Sequence, residues 1–167
     1  MADSKQLQYT GEKYRGMLRR VAWAFTKASK GCAFRPGGAE VSFGFTNEEN
    51  SLPALPIYMP DGTKAFLRGR IDRIDRYEGD EGLYMRVVDY KSSQHALEPN
   101  QVWWGTQLQL LLYMGAALEN DRKHGKETQP AGAFYSHITN PLVDGDDLKT
   151  DLEEALAKAL QLNGIVL

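Results

Sequence analysis

The residues best equipped for chemistry lie in two segments, Gly69-Arg70-Ile71-Asp72-Arg73-Ile74-Asp75 and Val87-Val88-Asp89-Tyr90-Lys91. Side chains alternate along a strand, so Asp89 and Lys91 project from the same face and set a carboxylate beside an ammonium. If the two segments pair as a hairpin whose turn centres on Asp80 and Glu81, Asp72 falls opposite Asp89 to within about one residue. Two converging carboxylates repel each other, which raises a pKa or calls for a compensating cation. Oxygen donors without histidine or thiolate partners suit Mg²⁺ or Mn²⁺ rather than zinc. Lys91 beside such a pair can orient an attacking water and balance charge that builds up on a phosphate, and together these parts describe phosphodiester hydrolysis. A surface salt-bridge cluster is the plainer alternative. Against it, Asp89 follows Val87-Val88 and Asp72 follows Ile71, so both emerge from strands expected to be central, where an unpaired carboxylate is costly.

The elements that must carry these residues follow from periodicity. Residues 65–77 and 83–91 are rich in β-branched and aromatic side chains, with Glu78-Gly79-Asp80-Glu81-Gly82 as the turn, and predict an antiparallel hairpin. From Gly11 to about Lys30, Tyr14, Met17, Leu18, Val21, Phe25 and Ala28 recur at helical spacing and predict an amphipathic helix. Pro36-Gly37-Gly38 breaks that pattern, and residues 40–45 read as a strand headed by Glu40, with Val41, Phe43 and Phe45 on one side. Residues 46–63 read as a loop or partly extended edge closing at Asp61-Gly62. A second helix is expected from Gln101 to about Asn120, with Val102, Leu108, Leu112 and Ala116 near one face. A strand follows over 131–138. A last helix is capped by Asp146 or Asp147, carries Leu148, Leu152, Leu156 and Leu160, and stops at Asn163-Gly164. The order predicts one α/β domain around a mainly antiparallel or mixed sheet.

Composition sets the outer bounds. The chain has 167 residues, Lys+Arg 20 against Asp+Glu 22, a formal charge of −2, and 42% hydrophobic residues. That balance argues against a free-standing, electrostatically driven nucleic-acid binder but not against local or metal-assisted contacts. The most apolar stretch, Leu108 to Leu118, contains Gln109 and is far short of the ~20 residues that span a bilayer. The first residues lack the apolar block of a secretory signal, and the single cysteine, Cys32, forms no internal disulfide, so a cytoplasmic setting is expected.

Three motifs in order, G-R-I-D at Gly69 to Asp72, V-D-Y-K at Val88 to Lys91 and Q-x-x-x-Y at Gln109 to Tyr113, resemble the RecB-like branch of the PD-(D/E)XK nucleases. Within that branch the likeness is to the nuclease domain of AddB-type subunits, which pair with an AddA-like helicase–nuclease subunit. Residues 134–141 and the closing Leu162-Asn163-Gly164-Ile165-Val166-Leu167 add to it. The resemblance implies a restriction-endonuclease-like α/β fold, a central mixed sheet flanked by helices, with 1–167 as a single nuclease domain and a fragment of a larger subunit. It further implies Asp72 and Asp89 as metal ligands, Tyr90 as a ligand through its backbone carbonyl, Lys91 as the catalytic lysine, and Glu40 as the upstream acid. Gln109 and Tyr113 would line the site; ordinary helix polarity is the alternative for that pair, and a water-facing strand-start carboxylate for Glu40.

The implied activity is Mg²⁺- or Mn²⁺-dependent exonucleolytic hydrolysis of single-stranded DNA, on the strand of 5′-terminal polarity, in an AddAB-type complex for repair of double-strand breaks by recombination. A DNA-gripping module that cannot cut, and a nuclease of another branch acting on RNA or branched DNA, are the rivals. The sequence departs from the family in having no proline before Asp72 and no histidine before His95. The iron–sulfur cluster of full-length AddB proteins is not expected here, since Cys32 stands alone.

Weaker signals remain. Arg68, Arg70 and Arg76 share parity with Asp72 and could hold phosphates, or pair with Glu78, Asp80 or Glu81. Trp103 and Trp104 could stack on unpaired bases, with core or subunit packing favoured. His137 reads as a satisfied structural histidine, and Gly125-Lys126 lacks the context of a phosphate loop.

Overall fold

The computed structural model describes residues 2–48, 51–93, 95–139, 141 and 151–167. Its elements are α1 (Ala2–Lys30), β1 (Arg35–Phe43), β2 (Leu55–Tyr58), β3 (Lys64–Leu67), β4 (Gly69–Gly79), β5 (Gly82–Lys91), α2 (Pro99–Trp103), α3 (Gln109–Lys123), β6 (Thr128–His137), α4 (Leu152–Ala159) and β7 (Asn163–Val166). The strands form a five-stranded sheet in the order β1-β4-β5-β6-β7 and a two-stranded sheet of β2 and β3. The β1–β4, β4–β5 and β6–β7 pairs are antiparallel, whereas β5 reaches its neighbour β6 through α3, so the helix is part of the sheet's wiring. Among the described residues no helix is long and apolar enough to cross a membrane.

The chain divides into two compact units, one of Met1–Cys32, Lys91–His95 and Ser136–Leu162, the other of Ala33–Tyr90, Ala96–Tyr135 and Asn163–Leu167. In the first unit α1 meets α4, with Lys27 Nζ 3.5 Å from Glu153. The stripe predicted on α1 is only partly covered: Val21 is buried and Met17 and Phe25 half-buried, but Tyr14, Leu18 and Ala28 are exposed. The reason is length, because a helix of 29 residues far outruns an α4 of 8. Asp151 caps α4, its carboxylate accepting from Glu153 N at 3.0 Å. The predicted caps Asp146 and Asp147, with Leu148, lie outside the described residues.

In the second unit Phe43, Ile71, Ile74, Met85 and Val87 of the sheet close on Leu110, Met114, Ala116 and Ala117 of α3, with Ala133 and Tyr135 of β6. The predicted hairpin forms as β4 and β5, from Gly79↔Gly82 down to Arg73↔Val88.

Five expectations need correction. Pro36-Gly37-Gly38 does not break the chain but lies inside β1, because β1 is a sheet edge where proline costs no ladder bond, and the register shift between Pro36 and Gly38 absorbs the irregularity. Glu40 is therefore interior to β1, with φ of 50°, rather than its head, and Phe45 falls beyond the strand. The strand expected over 65–77 is two, since β3 pairs with β2 while β4 pairs with β1 and β5, and β2 occupies part of the expected loop. The helix expected over 101–120 is likewise two, interrupted at Gly105, whose φ of 74° suits glycine and not a helix interior. Its buried stripe then runs through Leu110, Met114, Ala117 and Asp121 rather than Val102, Leu108, Leu112 and Ala116. Trp103 and Trp104 do not pack in the core, since no residue of α2 is buried. Finally, Asn163-Gly164 is not only a stop: it opens β7, which pairs with β6.

Two buried ionic clusters stiffen β4. Asp75, 0% exposed, accepts from Arg73 Nε at 2.6 Å and from Arg86 Nε of the opposed β5 residue at 2.8 Å. Arg86 lies over the Phe34 ring, 4.8 Å from its centroid. Asp121 of α3 takes both Arg76 Nη1 and Nη2 (2.9 Å for the latter) and Thr128 Oγ1 at 2.7 Å, joining α3 to β4 and β6. Burial pushes the Asp121 carboxyl up, but the hydrogen bonds from Arg76 and Thr128 outweigh it and leave its pKa below the usual carboxylate value.

Removing either carboxylate strands buried guanidinium charge. Asp75→Ala and Asp121→Ala are each expected to cost about 3 kcal/mol, read from the urea midpoint at pH 7. For Asp121, whose folded pKa is depressed, the stabilisation is present at neutral pH and is lost as pH falls through its lowered range, below about pH 4. Asp121→Asn should therefore flatten the acid limb of the stability profile, and an unchanged limb would contradict the assignment.

Candidate active site

The β4–β5 ladder ends at Arg73↔Val88, and the next rung in that register is Asp72 and Asp89. Past the last rung, the Tyr90 backbone N–H donates to Asp72 Oδ2 at 2.7 Å, so a carboxylate replaces a ladder carbonyl there. Asp72 is half-buried; Asp89 is 2% exposed and engaged by neighbours, yet its Oδ2 atom is buried and receives no hydrogen bond. In the β1–β4 ladder the residues flanking Glu40 pair with those flanking Asp72, Ala39↔Arg73 and Val41↔Ile71, which puts Glu40 level with Asp72. Three acidic residues thus occupy one row across β1, β4 and β5.

Their side chains are not all turned to one point. Glu40 is exposed, and its Oε2 lies 3.9 Å from Arg70 Nη1. Among the described residues no group of three or more acidic, histidine or cysteine side chains is gathered as a metal site. The donor set that fits a hard cation is therefore smaller than the one drawn from the sequence: the Asp72 and Asp89 carboxylates with the neighbouring Tyr90 backbone.

Arg73 backs this site. Burial works against its charge, but hydrogen bonds to Asp75 and to Tyr90 outweigh it and raise its pKa, so one guanidinium links the Asp75 cluster to the residue whose N–H holds Asp72. Sequence reasoning missed Asp75 and Arg73. The available signal was charge at successive positions, Asp72, Arg73, Asp75 and Arg76, of a strand expected to be buried.

Lys91 closes β5 two residues after Asp89; the residue is half-buried, and its carbonyl accepts from Ile138 N at 2.9 Å. Gln109 opens α3 and donates its Nε2 to Tyr113 Oη at 2.8 Å, so the pair share a helical face as expected. Tyr113 meets Phe43 edge-on, with centroids 6.1 Å apart. Beneath them lies Gly69, where a Cβ would come within 2.9 Å of the Phe43 ring, so the glycine of the G-R-I-D run is needed for close packing three residues from Asp72.

The three arginines separate. Arg68 lies over Phe45, 5.6 Å from the ring centroid. Arg70 donates to Ser42 Oγ at 3.2 Å and reaches Glu48 at 3.4 Å as well as Glu40. Arg76 is committed to Asp121, so none of the described pairs joins these arginines to Glu78, Asp80 or Glu81. In the other unit the His137 Nε2 lies 3.0 Å from His95 N and 2.8 Å from His95 O, a backbone-satisfied histidine.

Relatives of known name share this sequence. The chain is similar to the B-type subunit of the ATP-dependent helicase/deoxyribonuclease of Thermoanaerobacter sp. (strain X514), 36% identical over 169 residues, and to that of Listeria welshimeri, 37% identical over 172. It is 34% identical to that of Oceanobacillus iheyensis over 168 residues. The matches cover 99 to 100% of this chain but only 14% of each relative, so the chain spans a small part of the length of these proteins. Residues 1–163 match the PD-(D/E)XK nuclease superfamily, and with its strand order and G-R-I-D, V-D-Y-K and Q-x-x-x-Y runs the chain belongs to that superfamily.

Proposed function

We propose that the chain is a divalent-metal-dependent deoxyribonuclease domain that hydrolyses phosphodiester bonds in single-stranded DNA. The observation that carries this reading is the Tyr90 N–H to Asp72 hydrogen bond at the end of the β4–β5 ladder, because it fixes two carboxylates of adjacent strands at one rung. Asp72, Asp89 and the Tyr90 carbonyl would hold Mg²⁺ or Mn²⁺, with Glu40 joining once its side chain leaves Arg70. The bound cation supplies Lewis-acid activation of the scissile phosphate.

The remaining work falls to the chain's own groups. Lys91, two residues beyond Asp89 on β5, balances negative charge on the phosphate and orients the attacking water. Gln109 and Tyr113 line the approach as a hydrogen-bonded pair. The exposed Arg68 and Arg70 contact flanking phosphates, while Arg76, held by Asp121, serves the fold. The relatives are named for a helicase/deoxyribonuclease, which supports a setting in which an AddA-like helicase subunit delivers the strand during recombinational repair in the cytoplasm.

Incubated with labelled single-stranded DNA and Mn²⁺, the chain is expected to cleave, and EDTA should abolish the activity. Asp89→Ala, Asp72→Ala and Lys91→Ala should each lower kcat by about a hundredfold or more, consistent with removal of a group that stabilises developing charge. Equal cleavage by wild type and all variants would refute the assignment. Metal binding without cleavage would return the DNA-gripping module in its place.

A further inference from the structure

The least expected surface feature is the connection between β5 and α3. Trp103 is 84% exposed and Trp104 78% exposed, at the end of a helix with no buried residue. Two indoles left in water are costly unless something covers them, and adjacent exposed aromatics of this size are rare without a ligand.

Their presentation is rigid. Gln107 clamps the segment on both sides, accepting from Glu98 N at 2.7 Å through Oε1 and donating to Ala96 O at 2.7 Å through Nε2. Thr106 bonds Gln101 O through both its backbone N–H, at 2.9 Å, and its hydroxyl, at 3.1 Å. The Trp104 N–H is bonded to Asn100 O at 3.0 Å, and Leu97 N to the Asn163 side chain at 3.0 Å. A pair of large side chains on so fully bonded a segment is preorganised, and preorganisation lowers the cost of binding.

Charge and position identify the occupant. From Pro99 to Leu118 the chain carries no charged side chain, although the protein as a whole holds 22 acidic residues. A polyanion can therefore approach the indoles without meeting a local carboxylate on that segment. Five residues separate Trp104 from Gln109, a reach of at most about 18 Å, and Gln109 bonds the Tyr113 that packs over Gly69 of the G-R-I-D strand. Consecutive helical residues point in different directions, which suits successive bases better than one flat protein face.

We propose that Trp103 and Trp104 form a stacking platform for unpaired nucleobases, gripping a single strand beside the candidate active site. This rests on the reading of the chain as a DNA nuclease and specifies what part of the substrate it holds. Every base has an aromatic face, so such a platform is indifferent to sequence but demands unpaired, unstacked nucleotides.

The test measures binding, with EDTA present to prevent cleavage, of a fluorescently labelled oligothymidylate, an abasic strand of the same length and a duplex. The double variant Trp103→Ala/Trp104→Ala should bind oligothymidylate at least about tenfold more weakly than wild type. It should bind the abasic strand no differently, and Trp103→Phe/Trp104→Phe should recover most of the loss. Because α2 buries nothing, the alanine variant should keep the wild-type Tm. In Mn²⁺ it should show a raised KM with kcat retained.

Wild-type affinity in the alanine variant, or equal wild-type affinity for the abasic strand, overturns the platform. So does a wild-type chain that self-associates through these indoles, seen as a dimer in sedimentation that the alanine variant lacks, for then they hold a second protein copy. Asp89-dependent cleavage with indole-independent binding sinks the platform alone. Indole-dependent binding without any cleavage sustains the platform and sinks the catalytic reading.

Discussion

The site depends on one hydrogen bond, from the backbone N–H of Tyr90 to the carboxylate of Asp72. A strand N–H that loses its ladder partner must find another acceptor, and a carboxylate is the strongest the side chains provide. Because the β4–β5 ladder runs unbroken from Gly79↔Gly82 to Arg73↔Val88, the point where it gives way to this bond is set by register and not by a flexible loop. Two acidic groups are thereby kept near each other despite their repulsion, and the energy that holds them there is spread over the whole hairpin.

Such an arrangement requires a stiff strand, and β4 is stiffened by charges that would ordinarily weaken it. Asp75 sits between Arg73 and Arg86, and Asp121 holds Arg76 from α3. Buried ion pairs contribute little net stability over a hydrocarbon core, because desolvation consumes most of the Coulombic gain. Their value is geometric: each guanidinium has only one arrangement in which its donors are satisfied, so β4 cannot slide against β5 or α3 without exposing an uncompensated charge. Arg73 carries this constraint to Tyr90, and through it to the bond on which the two carboxylates depend.

The parts legible in the sequence are those where periodicity and turn chemistry agree. The hairpin is the clearest, since alternating apolar residues and a Gly-rich charged turn both point to the same pairing, and Asp72 then falls level with Asp89 by counting alone. Glu40 is harder. Pro36-Gly37-Gly38 carries the punctuation of a loop, and only the edge position of β1 makes it tolerable within a strand; nor does any propensity signal a φ of 50° at a glutamate. The break between α2 and α3 is hidden because apolar residues continue through it, so Gly105 looks like a tolerated helix glycine. Asp75 and Asp121 are invisible as a pattern because their partners lie on other elements, and long-range ionic pairing leaves no local trace.

Formal charge is a poor guide to what this surface can hold. The −2 total counts Asp75, Asp89 and Asp121, all buried, and Glu119, whose pKa is lowered by its hydrogen bond with Arg122 and by Lys123. With those acids committed inside the fold or to basic neighbours, the negative charge is not spread evenly over the exterior. A nearly neutral chain still gains little from releasing counterions along a polyanion, because that gain scales with the number of phosphates neutralised. Any strand held here must therefore be held by a few directed contacts, and the residues free to make them are the exposed arginines before Asp72 and the uncharged segment leading into α3.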